Sequence, residues 1–122
     1  MKNLLASRRK EIGAARFEVH IDVEFLGLAR NGIEVRGTGV VRNLSMRGAL
    51  IETDALVEKD DHLTLFLTLP NQSGLIEMPA VAARWIVRRH QLGVEFLKLD
   101  TATSRQLMKY LTRLYTETRA QH

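Results

Sequence analysis

"RNLSMRGALIET" (42–53) follows one alternating apolar stretch and precedes another, and its reading decides how the chain is assembled. Its first seven residues, "RNLSMRG", break a β-like run with Asn43, Ser45 and Gly48, flanked by Arg42 and Arg47. "ALIET" (49–53) resumes as a short strand. Two readings are open at this point. In one the segment is a plain turn, with the Asn43 and Ser45 side chains bonding nearby backbone and Gly48 supplying a positive φ. In the other the same residues cradle a phosphate or a nucleotide, because guanidinium groups fork onto phosphate oxygens and stack on bases.

Upstream, "FEVHIDVEF" (17–25) alternates without a fault. Phe17, Val19, Ile21, Val23 and Phe25 fall on one side, and the polar residues fall on the other, as in a half-buried strand. "ARNG" (29–32) is a turn with the Asn-Gly hairpin signal. "IEVRGTGVV" (33–41) is the return strand, where Gly37 and Gly39 predict a bend or bulge. Downstream, "HLTLFLTL" (62–69) places Leu63, Leu65, Leu67 and Leu69 on one face. After the loop "PNQSG" (70–74), residues 75–89 read as a long strand in which Pro79 predicts an edge or a bulge. "QLGVEFL" (91–97) returns in phase.

The period then changes. Over 100–119, Leu107, Met108, Leu111, Leu114 and Tyr115 make the stripe of an amphipathic helix, with Asp100 or Thr101 as its cap. Its apolar face must cover a mouth or open side of the sheet. The organisation is therefore a flexible basic tail (1–16), an antiparallel β unit of about six strands (17–99) and a helix (100–119) in one domain. Short antiparallel strands with turn signals indicate a small sandwich or barrel.

The chain has 122 residues, enough for one core, and no cysteine, so disulfides and thiolate metal sites are excluded. Its net charge is +4, from 18 Lys+Arg against 14 Asp+Glu. The cations, mostly arginines, cluster at Arg8, Arg9 and Lys10, at Arg42 and Arg47, and at Arg84, Arg88 and Arg89. No apolar run is long enough to span a membrane, and "MKNLLASRRK" is charged too early for a secretory signal; a cytoplasmic protein without membrane partners is expected. His20, His62, His90 and His122 are not spaced as metal ligands, and no metal or cofactor is expected. Ser45 lacks a GxSxG context, no phosphate-binding glycine loop occurs, and Asp60-Asp61 reads as solvated charge, so catalysis is not expected. Nucleic-acid binding is disfavoured because the phenylalanines fall in the buried phase, leaving only Trp85 and Tyr110 for stacking.

Taken together, the arginine-rich start, the strand pair, Asn43-x-Ser45-x-x-Gly48, "ARWIVRRHQLGVEFLKLD" (83–100) and the terminal helix resemble a PilZ domain over nearly the whole chain. PilZ domains are bacterial receptors for the second messenger cyclic di-GMP. The resemblance implies a six-stranded antiparallel β-barrel with a C-terminal helix. It also implies a ligand site made by Arg8, Arg9 and Arg16 with Asn43, Ser45 and Gly48, and a protein effector that responds. One departure stands out. The family's Arg-x-x-x-Arg places its arginines four apart, whereas Arg9 and Arg16 are seven apart. Some family members act without ligand as protein-interaction adaptors, which is the alternative role.

Overall fold

The structure, a computed structural model, describes residues 10–29, 31–86 and 89–120. Six strands form: β1 (Phe17–Leu28), β2 (Glu34–Leu44), β3 (Gly48–Glu52), β4 (His62–Leu67), β5 (Ile76–Ile86) and β6 (Gln91–Phe96). All neighbours are antiparallel in the order β1-β2-β3-β6-β5-β4, and β4 returns to β1, so the barrel is closed. Residues 10–14 form a short helix, α1, and Thr101–Ala120 form α2. The Asn31-Gly32 turn is as expected, with Gly32 at φ 84° and the Ile33 N–H donating to Asn31 Oδ1 at 3.0 Å.

The alternation read from the sequence becomes the inside and outside of the barrel. Ile21, Val23 and Phe25 of β1 are buried with Leu63, Leu65 and Leu67 of β4, while Asp22 and Glu24 stay exposed. Each such side chain contributes about 1.5–3 kcal/mol on burial. α2 inserts Leu107, Tyr110 and Leu111 into the same core cluster, so it closes the barrel interior. Gln72 Nε2, in the β4–β5 loop, donates to Gln106 O of α2 at 3.0 Å. Asp100 caps α2 by accepting from Thr103 N at 2.7 Å, and the Thr103 hydrogen bonds hold its carboxyl below the usual carboxylate range. The cap is therefore complete at neutral pH and is lost as pH falls through that lowered value.

Several expectations are corrected. The tail expected over 1–16 is ordered structure in its last part: α1 buries Ile12 at 2 % exposure in the core. Tyr115 also donates from its hydroxyl to Glu11, joining α2 to α1. Gly37 and Gly39 stand in regular register opposite Phe25 and Val23. Their role is close approach, since a Cβ at Gly37 would strike the Phe25 ring and one at Gly39 the Glu52 carbonyl. Register instead shifts around Arg42, on both sides of β2.

Pro79 is not at an edge, because the barrel has none. It faces Thr64 of β4, and its carbonyl accepts from Leu97 N at 2.8 Å. N and C=O of one strand residue point the same way, so the missing N–H lies where β6 has ended. The β5 bulge falls between Ala82 and Arg84. Asp61 is not solvated charge: it is 2 % exposed, with Oδ2 accepting from Glu58 N at 2.9 Å. Tyr110 is buried at 7 % exposure, so it offers no stacking face, and burial pushes its phenol pKa up. The Trp85 side chain lies outside the described part.

Ile12→Ala tests whether α1 is truly part of the core. A loss of about 2–5 kcal/mol in urea denaturation is expected for a buried Ile. An unchanged midpoint would show that the segment before β1 contributes no packing.

Candidate ligand site

β2 continues through Asn43 to Leu44, so the motif begins inside a strand and turns only over 45–47. Ser45 organises that turn. Its N–H donates to Gly48 O at 2.9 Å, and its Oγ accepts from Arg47 N at 3.1 Å and Gly48 N at 3.2 Å. The hydroxyl itself donates to Gly48 O at 3.3 Å. Arg47 O accepts from Phe96 N at 2.8 Å, which pins the turn to the end of β6. Gly48 does not supply a positive φ. It is needed because a Cβ there would collide with the carbonyl oxygen of Val94 on β6.

This hairpin forms one wall of a cavity of about 780 Å³. Arg16, Asn43, Ser45 and Gly48 line it together, as do Arg47, Arg84, Glu95 and Ser104 of the first turn of α2. Such a volume is in the range of small-molecule sites. Arg8 and Arg9 lie outside the described residues. Among the described residues, Arg16, Arg47 and Arg84 form no ion pair, so three guanidinium groups face the cavity against one carboxylate, Glu95. Unneutralised arginines on a concave surface favour an anionic occupant.

The two arginines flanking the motif part company. Arg47 lines the cavity, whereas Arg42 turns away from it towards β1 and β3. There its Nη1 donates to His20 Nδ1 at 3.1 Å, and its Nε lies 3.8 Å from Glu52. A second groove of about 790 Å³ runs beside His20 along β1, β2 and β4. It is lined by Asp22 and Glu24 and, among the described residues, by no arginine or lysine, which disfavours an anion there.

The PilZ domain family model matches residues 7–113. The chain belongs to the PilZ family. PilZ domains are non-catalytic receptors or adaptors in cyclic di-GMP signalling. No curated protein matches the chain. Three solved structures share the fold. The Bacillus subtilis inhibitor of motility MotI/DgrA is similar at TM-score 0.65 and 20 % identity, over 85 % of this chain. The PilZ domain of CeSA from a cellulose-synthesizing bacterium is similar at 0.54 and 21 %, over 87 % of this chain and 99 % of its own. The PilZ domain of Escherichia coli YcgR, solved with c-di-GMP, is similar at 0.58 and 14 %, over 88 % of this chain and 93 % of its own. The chain spans about half, 51 %, of MotI/DgrA. Among the described residues, no helix of this PilZ domain is long and apolar enough to cross a membrane.

Sequence reasoning singled out Arg84 only as part of a basic run and did not single out Leu50 or Glu95 as lining. These residues meet Asn43 through strand register, which no local motif announces.

Ser45→Ala is expected to cost about 1 kcal/mol in ligand-free urea denaturation, because two backbone donors lose their acceptor. Gly48→Ala should cost more, since its clash is with backbone. Wild-type stability in both variants would mean that the turn does not need these residues.

Proposed function

We propose that this PilZ domain is a cytoplasmic receptor for cyclic di-GMP, held between the arginine-bearing N-terminal segment and the Asn43–Gly48 hairpin. The carrying observation is the convergence of Arg16, Asn43, Ser45 and Gly48 on one cavity that also holds Arg47 and Arg84, which form no ion pair among the described residues. Cyclic di-GMP is a dianion with two guanines. Guanidinium groups suit both its phosphates and the N7/O6 edge of guanine.

In this scheme Arg8, Arg9 and Arg16 fork onto phosphate and guanine, and Asn43 bonds a base edge. Ser45 acts at the phosphate or through the turn that it holds, and Gly48 keeps the hairpin close to β6. Each charge-assisted bond contributes about 1.5–3 kcal/mol. Micromolar binding requires roughly 8 kcal/mol after ordering costs, so three or four such bonds are needed.

The seven-residue interval from Arg9 to Arg16 is compatible with this. With 10–14 helical, at about 1.5 Å per residue against about 3.3 Å in extended chain, the residues leading to Arg16 span less than the same number of extended residues. On binding, the ligand draws the segment carrying Arg8 and Arg9 over the cavity, and the new surface engages a protein effector.

One observation favours a second role, a ligand-independent adaptor. The hairpin alone accounts for the Ser45 hydroxyl and for Gly48, with no ligand required.

Isothermal titration calorimetry with cyclic di-GMP separates the two roles. The receptor binds in the micromolar range or tighter, and Arg16→Ala weakens it about tenfold to a hundredfold. Absence of binding heat at saturating ligand, together with unchanged proteolysis of the N-terminal segment, would leave the adaptor role.

A further inference from the structure

The outer face of β1 divides in two along its length. Ile21, Val23 and Phe25 point into the core, so Asp22, Glu24, Leu26 and Leu28 point outward. Register carries three of these positions across the barrel wall. Thr38, Glu24, Phe66 and Glu77 form one row over β2, β1, β4 and β5. Arg36, Leu26, Thr64 and Pro79 form the next, and Glu34, Leu28, His62 and Val81 the one after. Thr38, Glu24 and Phe66 line the groove of about 790 Å³ beside His20. Leu26, Leu28, Thr64 and Pro79 line a neighbouring groove of about 490 Å³.

Single exposed leucines are ordinary on a protein surface, whereas a cluster marks a contact. Among the described residues the exposed large apolar side chains are Leu26, Leu28, Ile33, Leu56, Leu75 and Leu97. Leu75 lines the first of these grooves, and Leu26, Leu28 and Leu97 line the second. Leu97 joins the face through its N–H, which donates to Pro79 O. Of the residues that line the two grooves, Leu97 alone also lines the arginine-bearing cavity. The apolar cluster is therefore a surface beside the ligand site and not a part of it.

The polar part of the face is anionic. Asp22, Glu24 and Glu77 are exposed and form no ion pair among the described residues. Phe66, half-buried, stands between Glu24 and Glu77 in register. Arg36, the one arginine or lysine in the three rows, is already held by Glu34 at 3.4 Å. Carboxylates gathered on one face without cations repel one another, and a partner bearing Lys or Arg relieves that repulsion. The barrel is closed, so it offers no free strand edge among the described residues for a partner to extend. A partner must engage side chains alone, which suits a helix laid on the face. The outward row from Asp22 to Leu28 runs ~20 Å, a length that a helix covers in about 14 residues.

We propose that the outer face of β1, β4 and β5 docks an amphipathic helix of a protein partner. The apolar end of that helix rests on Leu26, Leu28 and Leu97, and Lys or Arg residues at its other end meet Asp22, Glu24 and Glu77. The inference goes beyond the receptor role and holds whether or not cyclic di-GMP binds.

The test is fluorescence anisotropy and amide chemical-shift mapping of the full chain with alanine-based helical peptides of about 14 residues. The first peptide carries leucines at one end and lysines at the other. The second replaces its lysines with glutamates, and the third replaces its leucines with serines. The first should bind with a Kd below about 1 mM and shift amides of β1 and β4, and the other two should bind at least tenfold more weakly. Glu24→Lys and Leu28→Asp, both at exposed positions, should each cost at least tenfold in affinity for the first peptide at unchanged melting temperature. No binding of the first peptide, equal binding of the third, shifts centred on the arginine-bearing cavity, or wild-type affinity in both variants would overturn the proposal. So would concentration-dependent dimerisation in sedimentation that Leu28→Asp abolishes, which would give the face to a second copy of the chain. If Leu28→Asp lowers the melting temperature, Glu24→Lys decides.

Discussion

Closing six strands into a barrel brings backbones against one another at the seams, and this chain meets that demand with glycine. At Gly48 the hairpin between β2 and β3 lies so near the Val94 carbonyl of β6 that no Cβ fits. Gly39 plays the same part where β2 passes the Glu52 carbonyl of β3. Ser45 then secures the turn by accepting two backbone N–H groups, and Arg47 O ties it to Phe96 N. With the β2–β3 hairpin fixed against β6, the register of the outer wall is fixed too. The cavity is a consequence of that register.

Charge is distributed around the barrel to match. The cavity wall carries Arg16, Arg47 and Arg84 with a single carboxylate, while the groove along β1 carries Asp22 and Glu24. A net charge of +4 on its own says little about where an anion would sit. The register shift at Arg42 contributes to the separation, because that guanidinium goes to His20 and Glu52 and leaves Arg47 as the flanking arginine on the cavity side. The gathering of arginines on one wall therefore comes from strand geometry acting on an unremarkable composition.

α2 and α1 complete the unit. α2 fills the core with Leu107, Tyr110 and Leu111, and its Tyr115 hydroxyl donates to Glu11 of α1. Ile12 holds α1 in the same core cluster. The segment that leads to Arg16 and the cavity is thus attached at its base.

Local pattern determined much of this protein. Period-two alternation together with turn signals and β-like runs placed the six strands to within a few residues, the Asn31-Gly32 pair marked its hairpin, and the stripe from Leu107 to Tyr115 marked α2. Asn43, Ser45 and Gly48 were legible as a unit because turn chemistry is local. Long-range register was not legible. Whether Gly37, Gly39 and Gly48 answer to φ or to a neighbouring backbone depends on which strand lies beside them, and Pro79 is tolerated because β6 ends where it does. The burial of Asp61, Tyr110 and Ile12, and the meeting of Asn43 with Leu50, Gly93 and Arg84, were likewise decided only in three dimensions. Residues forty positions apart become neighbours through hydrogen-bonded ladders, and no single strand's sequence carries the register of its partner.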